Sequence, residues 1–201
     1  MWVQTNRSNL NGMGGRPPPE DVKRRVIAAI CALYRHDREL LDVDANERSI
    51  THKLAEHLQR EFPGWHVDCE YNRRGREPKR LEAKTVFPDI IVHRRGNRKN
   101  LLVMEVKKDS GRDDSGDVEK LKQFTKDPKY RYEYGLLLKL RHEGLPELKL
   151  YRNGEPAGSW TEELRGVLKK LRYRACCTNP ANPSDLPSDG PLESDPRIYP
   201  N

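Results

Sequence analysis

Apolar residues recur every three to four positions over residues 20–41, where Val22, Val26, Ile27, Ile30, Leu33 and Tyr34 form a stripe among arginines and lysines. That spacing predicts a first helix. Residues 46–62 repeat the pattern with Ile50, Leu54, Leu58 and Phe62, and Pro63-Gly64 supplies a stop. The period then changes to two. Trp65, Val67, Cys69 and Tyr71 alternate with His66, Asp68 and Glu70, which predicts a strand with the Cys69 thiol on its buried side. Residues 72–85 are a polar connector, and apolar runs at 86–93 and 101–107 predict two strands joined by a hairpin turn around Gly96-Asn97. Val118, Leu121 and Phe124 place a helix over 117–126. Residues 132–140 read as a central strand, 148–151 as a short edge strand and 161–173 as a last helix. The order is helix, helix, three strands, helix, strand, helix. It predicts an α/β fold with a central mixed sheet flanked by helices, rather than a run of βαβ units.

The flanks break this pattern. Residues 1–19 hold Gly12, Gly14, Gly15 and Pro17-Pro18-Pro19 with little to bury, and are expected to be a flexible arm. Residues 175–201 turn to Pro, Ser, Asp and Asn, and are expected to form a disordered tail. The folded domain is thereby placed at residues 20–174.

Charge narrows the range of functions. The 201-residue chain is 34% hydrophobic and 34% charged, with a net charge of +7, so an anionic partner is expected and nucleic acid is the commonest one. No stretch approaches the roughly 18 apolar residues of a membrane span, and the first residues lack a secretory apolar region. Cys31, Cys69, Cys176 and Cys177 fit neither a metal knuckle nor a disulfide framework, which suggests a reducing, cytoplasmic setting. No phosphate-binding glycine loop and no Ser-His-Asp arrangement is visible.

The candidate chemistry lies on the second and third strands. Asp89 starts one apolar run, while Glu105 and Lys107 close the next and, two apart on a strand, share a face. If the turn between them makes a hairpin, the start of one strand lies beside the end of the other and brings Asp89 to Glu105. Paired carboxylates at the edge of a core need neutralising. A hard divalent cation such as Mg²⁺ (or Mn²⁺) takes oxygen ligands of this kind, and can activate water and stabilise charge on a phosphodiester. Lys107 would orient the water or neutralise the developing charge.

Pro88-Asp89 followed by Glu105-Val106-Lys107 resembles the signature of the PD-(D/E)XK nuclease superfamily, the restriction-endonuclease-like fold. The resemblance extends to the αβββαβ order read from residue 46 to residue 140, with an extra N-terminal helix and a C-terminal helix outside it. It implies that Asp89 and Glu105 are metal ligands, that the Val106 carbonyl is a third oxygen, and that Lys107 is the catalytic lysine. Members often add an acidic residue from the helix before the first strand, which points to Glu47. The same residues also read as a capping box, Asp44-Ala45-Asn46-Glu47, in which Glu47 only closes the helix end. Glu70 is either a supporting acid or a partner of the basic connector, the second being favoured. Gln123 falls where members place a supporting side chain, although Asp127 stands where a RecB-like QxxxY pattern has tyrosine. Lys120 and Lys122 read as surface charges.

Arg73, Arg74, Arg76, Lys79, Arg80 and Lys84 lead into the Asp89 strand and are expected to track a phosphate backbone without reading bases. The expectation is a Mg²⁺-dependent DNA endonuclease of restriction, defence or repair type, working as a homodimer or with a protein partner that supplies specificity. The alternative is a non-catalytic nucleic-acid-binding module of the same fold in a larger complex.

Overall fold

A computed structural model describes residues 15–73, 77–81, 84–97, 99–108, 113–141 and 145–170, and the backbone alone of Arg74 and residues 171–177. Most of the expected N-terminal arm and most of the expected tail lie outside the described residues. The described residues up to Leu168 belong to one compact unit, and those from Lys169 to another.

Helix α1 (Pro19–His36) opens with proline at its first turn beside Glu20 and Asp21, and closes with Arg35 and His36, so the charges at both ends suit the helix dipole. The expected single helix over 20–41 is two helices. Asp37 leaves helical geometry (φ −126°), its carboxylate meets His57 Nε2 at 2.6 Å, and a short α2 (Arg38–Asp42) follows. In α3 (Glu47–Glu61) the cap is Asn46, whose side chain accepts from the Ser49 N–H at 2.9 Å. The capping-box reading of Glu47 is therefore corrected: Glu47 is the first helical residue, and its carboxylate is free to point elsewhere.

The strands β1 (His66–Cys69), β6 (Ile90–His93), β7 (Asn100–Lys108), β8 (Tyr134–Leu140), β9 (Glu147–Arg152) and β10 (Glu155–Ser159) form one sheet in that order. The β1–β6, β6–β7, β8–β9 and β9–β10 pairs are antiparallel, and β7–β8 is parallel, so the sheet is mixed. Helix α4 (Ser115–Lys126) connects the parallel pair, and α5 (Thr161–Cys177) ends the described chain. The β6–β7 turn falls at the expected place, with Gly96 at φ +78° and Lys99 N–H bonded to the Asn97 side chain. Three strand expectations change. Residues 86–89 precede β6 rather than belong to it, because Pro88 has no N–H to give a ladder. The run at 148–151 is not the edge, since β10 pairs outside it. The connector contains two small antiparallel ladders, β2 (Arg73–Arg74) with β3 (Glu77–Pro78) and β4 (Arg80–Leu81) with β5 (Lys84–Thr85).

Strand β7 is buried from Leu101 to Val106 on both faces, as a central strand between layers must be. Ile91, Val103 and Leu137 meet Leu121 and Phe124 of α4 on one face, with Leu81, Tyr130 and Tyr132 closing the cluster. The alternate residues Ile90, Val92, Leu102 and Met104 are also fully buried, and α3 packs on β1 and β7.

Candidate metal centre

The β6–β7 register pairs Ile91 with Val103 and Ile90 with Met104, so the next step along the ladder sets Asp89 beside Glu105. The Val106 N–H donates to Asp89 Oδ2 at 2.8 Å, and the Asp89 carbonyl accepts from the Glu70 N–H at 3.2 Å. These bonds tie Asp89 to the ends of β7 and β1 together. Glu105 shares the α4-facing side of β7 with Val103 and is 1% exposed.

Helix α4 begins at the end where β7 finishes, which brings its first turns to this site. Lys120 Nζ lies 3.1 Å from Glu105 Oε2 and 2.6 Å from Asp117 Oδ1. Lys107 Nζ lies 3.2 Å from Asp117 Oδ2 and 3.5 Å from Glu47 Oε1, while Glu47 Oε2 accepts from the Lys108 N–H at 3.3 Å. Asp89, Glu105, Lys107 and Glu47, from three separated stretches of sequence, are thus brought to one place. Asp117 and Lys120 complete it. Four carboxylates face two ammonium groups, an excess of negative charge that a dication would offset.

The electrostatics carry the same imbalance. Burial, reinforced by the Asp89 charge, pushes the Glu105 carboxyl up to about 8, against which Lys120 pulls only in part. Burial also raises Asp89 above the usual carboxylate range, opposed by the Val106 N–H and Lys107. Burial works against the charge of Asp117 too, but Lys120 and Lys107 outweigh it and hold that carboxyl low. Lys107 is held above its ordinary value because Asp117 and Glu47 outweigh its own burial.

Glu105 Oε1 is buried without a hydrogen-bond partner. Five other described side-chain atoms share that condition, and either a cation or an ordered water would satisfy this one. Among the described residues, no group of three or more His, Cys, Asp or Glu side chains is arranged to hold a metal ion. The fit therefore rests on the Asp89–Glu105 pair, and one or two carboxylates are what Mg²⁺ commonly takes from a protein.

A cleft of about 210 Å³ opens beside this pair, lined by Glu47, Arg48, Thr51, Cys69, Glu70 and Asp89. Glu70 pairs with Arg48 at 3.1 Å, and the side chains of Arg74 and Arg76 in the basic connector lie outside the described residues. Cys69 lines the cleft and is exposed as a residue rather than buried, while partial desolvation of its sulfur and the nearby Asp68, Asp89 and Glu70 charges raise its thiol to about 11.

Other candidates lie elsewhere. Gln123 donates to Glu119 on its own helix at 3.1 Å, on an exposed face, and does not support the site. Lys120, read as a surface charge, occupies it instead. Lys79 is 2% exposed, with its ammonium donating to the Tyr71 carbonyl at 2.9 Å and to the Tyr132 hydroxyl at 3.0 Å, so it cannot meet phosphate. Arg73, Arg80 and Lys84 are exposed, the Arg74 backbone lies in β2, and Arg76 lies outside the described residues. The Arg80 backbone is clamped by the Tyr130 hydroxyl, which accepts from its N–H and donates to its carbonyl at 2.7 Å each.

No protein-family model matches the chain, and no curated protein matches it. Among the described residues no helix is long and apolar enough to cross a membrane.

Proposed function

We propose that this chain is a Mg²⁺-dependent nuclease of the restriction-endonuclease-like type that hydrolyses phosphodiester bonds in DNA. The observation that carries the reading is Glu105 Oε1, buried beside Asp89 with no donor, at the end of a strand whose next same-face residue is Lys107. Three successive antiparallel strands followed by a helix and a parallel strand agree with the αβββαβ order.

Asp89 and Glu105 would hold the cation, with the Val106 carbonyl as a further oxygen and Glu47 close enough to share the site through Lys107. A bound Mg²⁺ supplies Lewis acidity to a phosphate oxygen and lowers the pKa of water. Lys120 holds the Glu105 carboxylate through Oε2 and leaves Oε1 without a partner. Lys107 keeps its proton because Asp117 and Glu47 flank it, so it serves as a hydrogen-bond donor to charge that builds on phosphate, not as a base. Asp117 spaces Lys107 from Lys120 and relieves their repulsion. Arg73, Arg80 and Lys84 would add salt-sensitive backbone contacts.

The test incubates the protein with plasmid, linear duplex, single-stranded DNA and RNA in Mg²⁺, Mn²⁺ or EDTA. Cleavage of DNA in either cation and none in EDTA is the expected result. Binding to all four polymers without cleavage would instead establish the non-catalytic binding module.

A further inference from the structure

Every other described phenylalanine and tryptophan is buried: Phe62 and Phe124 fully, Trp65 and Trp160 to 7% and 8% exposure. Phe87 is 52% exposed. A loose loop does not explain this, because the backbone is tied on both sides of the ring. Val86 packs against the α4-facing cluster, and its N–H donates to the Lys79 carbonyl at 3.1 Å. Lys79 is itself anchored in the core by Tyr71 and Tyr132. On the other side Pro88 is buried and locked in φ, and Asp89 is held by both neighbouring strands. The fold thus presents an aromatic ring to solvent from a rigid base, two residues from the carboxylate at the centre of the site.

Its surroundings indicate what the ring meets. Lys84, three residues before it, and Arg80 and Arg73 on the same connector are exposed cations. A fixed aromatic ring beside a basic track is how proteins hold single-stranded nucleic acid: the cations follow the phosphates and the ring stacks on a base. Two residues of chain span at most roughly 7 Å between Cα atoms, so the backbone that carries the ring lies close to Asp89. A base inside a duplex has both faces covered by its neighbours, so only an unpaired or splayed base can take this position.

We propose that Phe87 is a base-stacking platform, and that the site takes a strand with an unpaired base beside the cleaved phosphodiester. Single-stranded DNA and the unpaired arms of branched DNA are the substrate class. This rests on the nuclease reading above, but it concerns recognition and is read without catalysis.

The experiment measures fluorescence anisotropy of a labelled mixed-sequence oligonucleotide, single-stranded or annealed to its complement, with the full chain in EDTA. Wild type is expected to bind the single strand more tightly than the duplex. Phe87→Ala is expected to lose roughly 5- to 150-fold in single-strand affinity, with duplex affinity changed less than twofold, and Phe87→Trp to restore binding. Equal effects on both forms, or no effect on either, would overturn the proposal. So would a Phe87→Ala protein whose sedimentation changes while its single-strand affinity does not, because the ring would then be a contact between copies. If single-strand preference is absent but Mg²⁺-dependent cleavage persists, the Phe87 proposal fails alone. If no nucleic acid binds at all, both readings fail.

Discussion

Replacing Glu105 with glutamine should make the cation-free protein more stable at alkaline pH, although the change removes a carboxylate from the centre of the site. Burial and Asp89 raise the Glu105 carboxyl from 4.5 to about 8. The folded chain therefore holds a proton on Glu105 between those values while the unfolded chain has released it. Stability falls as pH rises through that window, and the full penalty is present above pH 8. At about 1.4 kcal/mol for each pH unit of displacement, ionising Glu105 in the fold costs on the order of 5 kcal/mol. Glutamine occupies the same volume, keeps an acceptor for Lys120 and carries no charge. Urea unfolding in EDTA, followed by circular dichroism from pH 4 to pH 9, reads the difference. The two proteins should be close at pH 4, and Glu105→Gln should be ahead by several kcal/mol at pH 9. A divalent cation at a hundred times its Kd should then add about 3 kcal/mol to wild type and nothing to the variant. A stability difference that is flat with pH, or a variant that is weaker at pH 9, would refute the electrostatic account of the site.

Three further outcomes follow from the same structure. Arg73→Ala, Arg80→Ala and Lys84→Ala should each weaken DNA binding regardless of sequence and lower the slope of log affinity against log salt by about one; unchanged slopes would remove the connector from the interface. Burial holds the Lys79 ammonium down to about 7, so the folded chain binds fewer protons than the unfolded one between pH 7 and 10.5 and gains stability as pH rises through that window. Lys79→Met should abolish that gain in urea titrations in EDTA, and its survival in the variant would show that another group is responsible. Phe124→Ala should cost roughly 3–5 kcal/mol, because Phe124 is fully buried and meets Tyr130 and Tyr132 edge-on; a loss below 1 kcal/mol in the same titration would mean that the α4 face packs loosely.

The parts of the site legible in sequence were those written in strand periodicity. Asp89 and Glu105 each stand at the end of an apolar run, and a short turn with Gly96 leaves the two runs one register in which to pair. Glu47 was harder to place, because Asn46 and Asp44 are both good caps and the choice between them decides whether Glu47 closes the helix or faces the strand ends. Asp117 and Lys120 carried a signal that position along the chain could have exposed. A helix that follows β7 and returns to a parallel neighbour must begin near the end of β7, so its first turns border Glu105 and Lys107. Lys79 was illegible as a buried residue because it is one of six basic residues in the connector, and only the tertiary position of Tyr71 and Tyr132 sets it apart. The break at Asp37 hid behind apolar spacing that continues through Leu41, and β10 hid because all five of its residues are exposed, as an edge strand with Pro156 allows.

The claim that Asp89, Glu105 and Lys107 form one metal-dependent hydrolytic site is tested by comparing cleavage rates of wild type, Asp89→Ala and Lys107→Ala on the same DNA. Protein should be in excess and Mg²⁺ present, with DNA binding in EDTA measured alongside. Asp89→Ala should be inactive and Lys107→Ala slower by roughly 10²–10³-fold, while both bind DNA as wild type does. Cleavage by either variant at the wild-type rate, or wild-type cleavage that persists in EDTA, would contradict it.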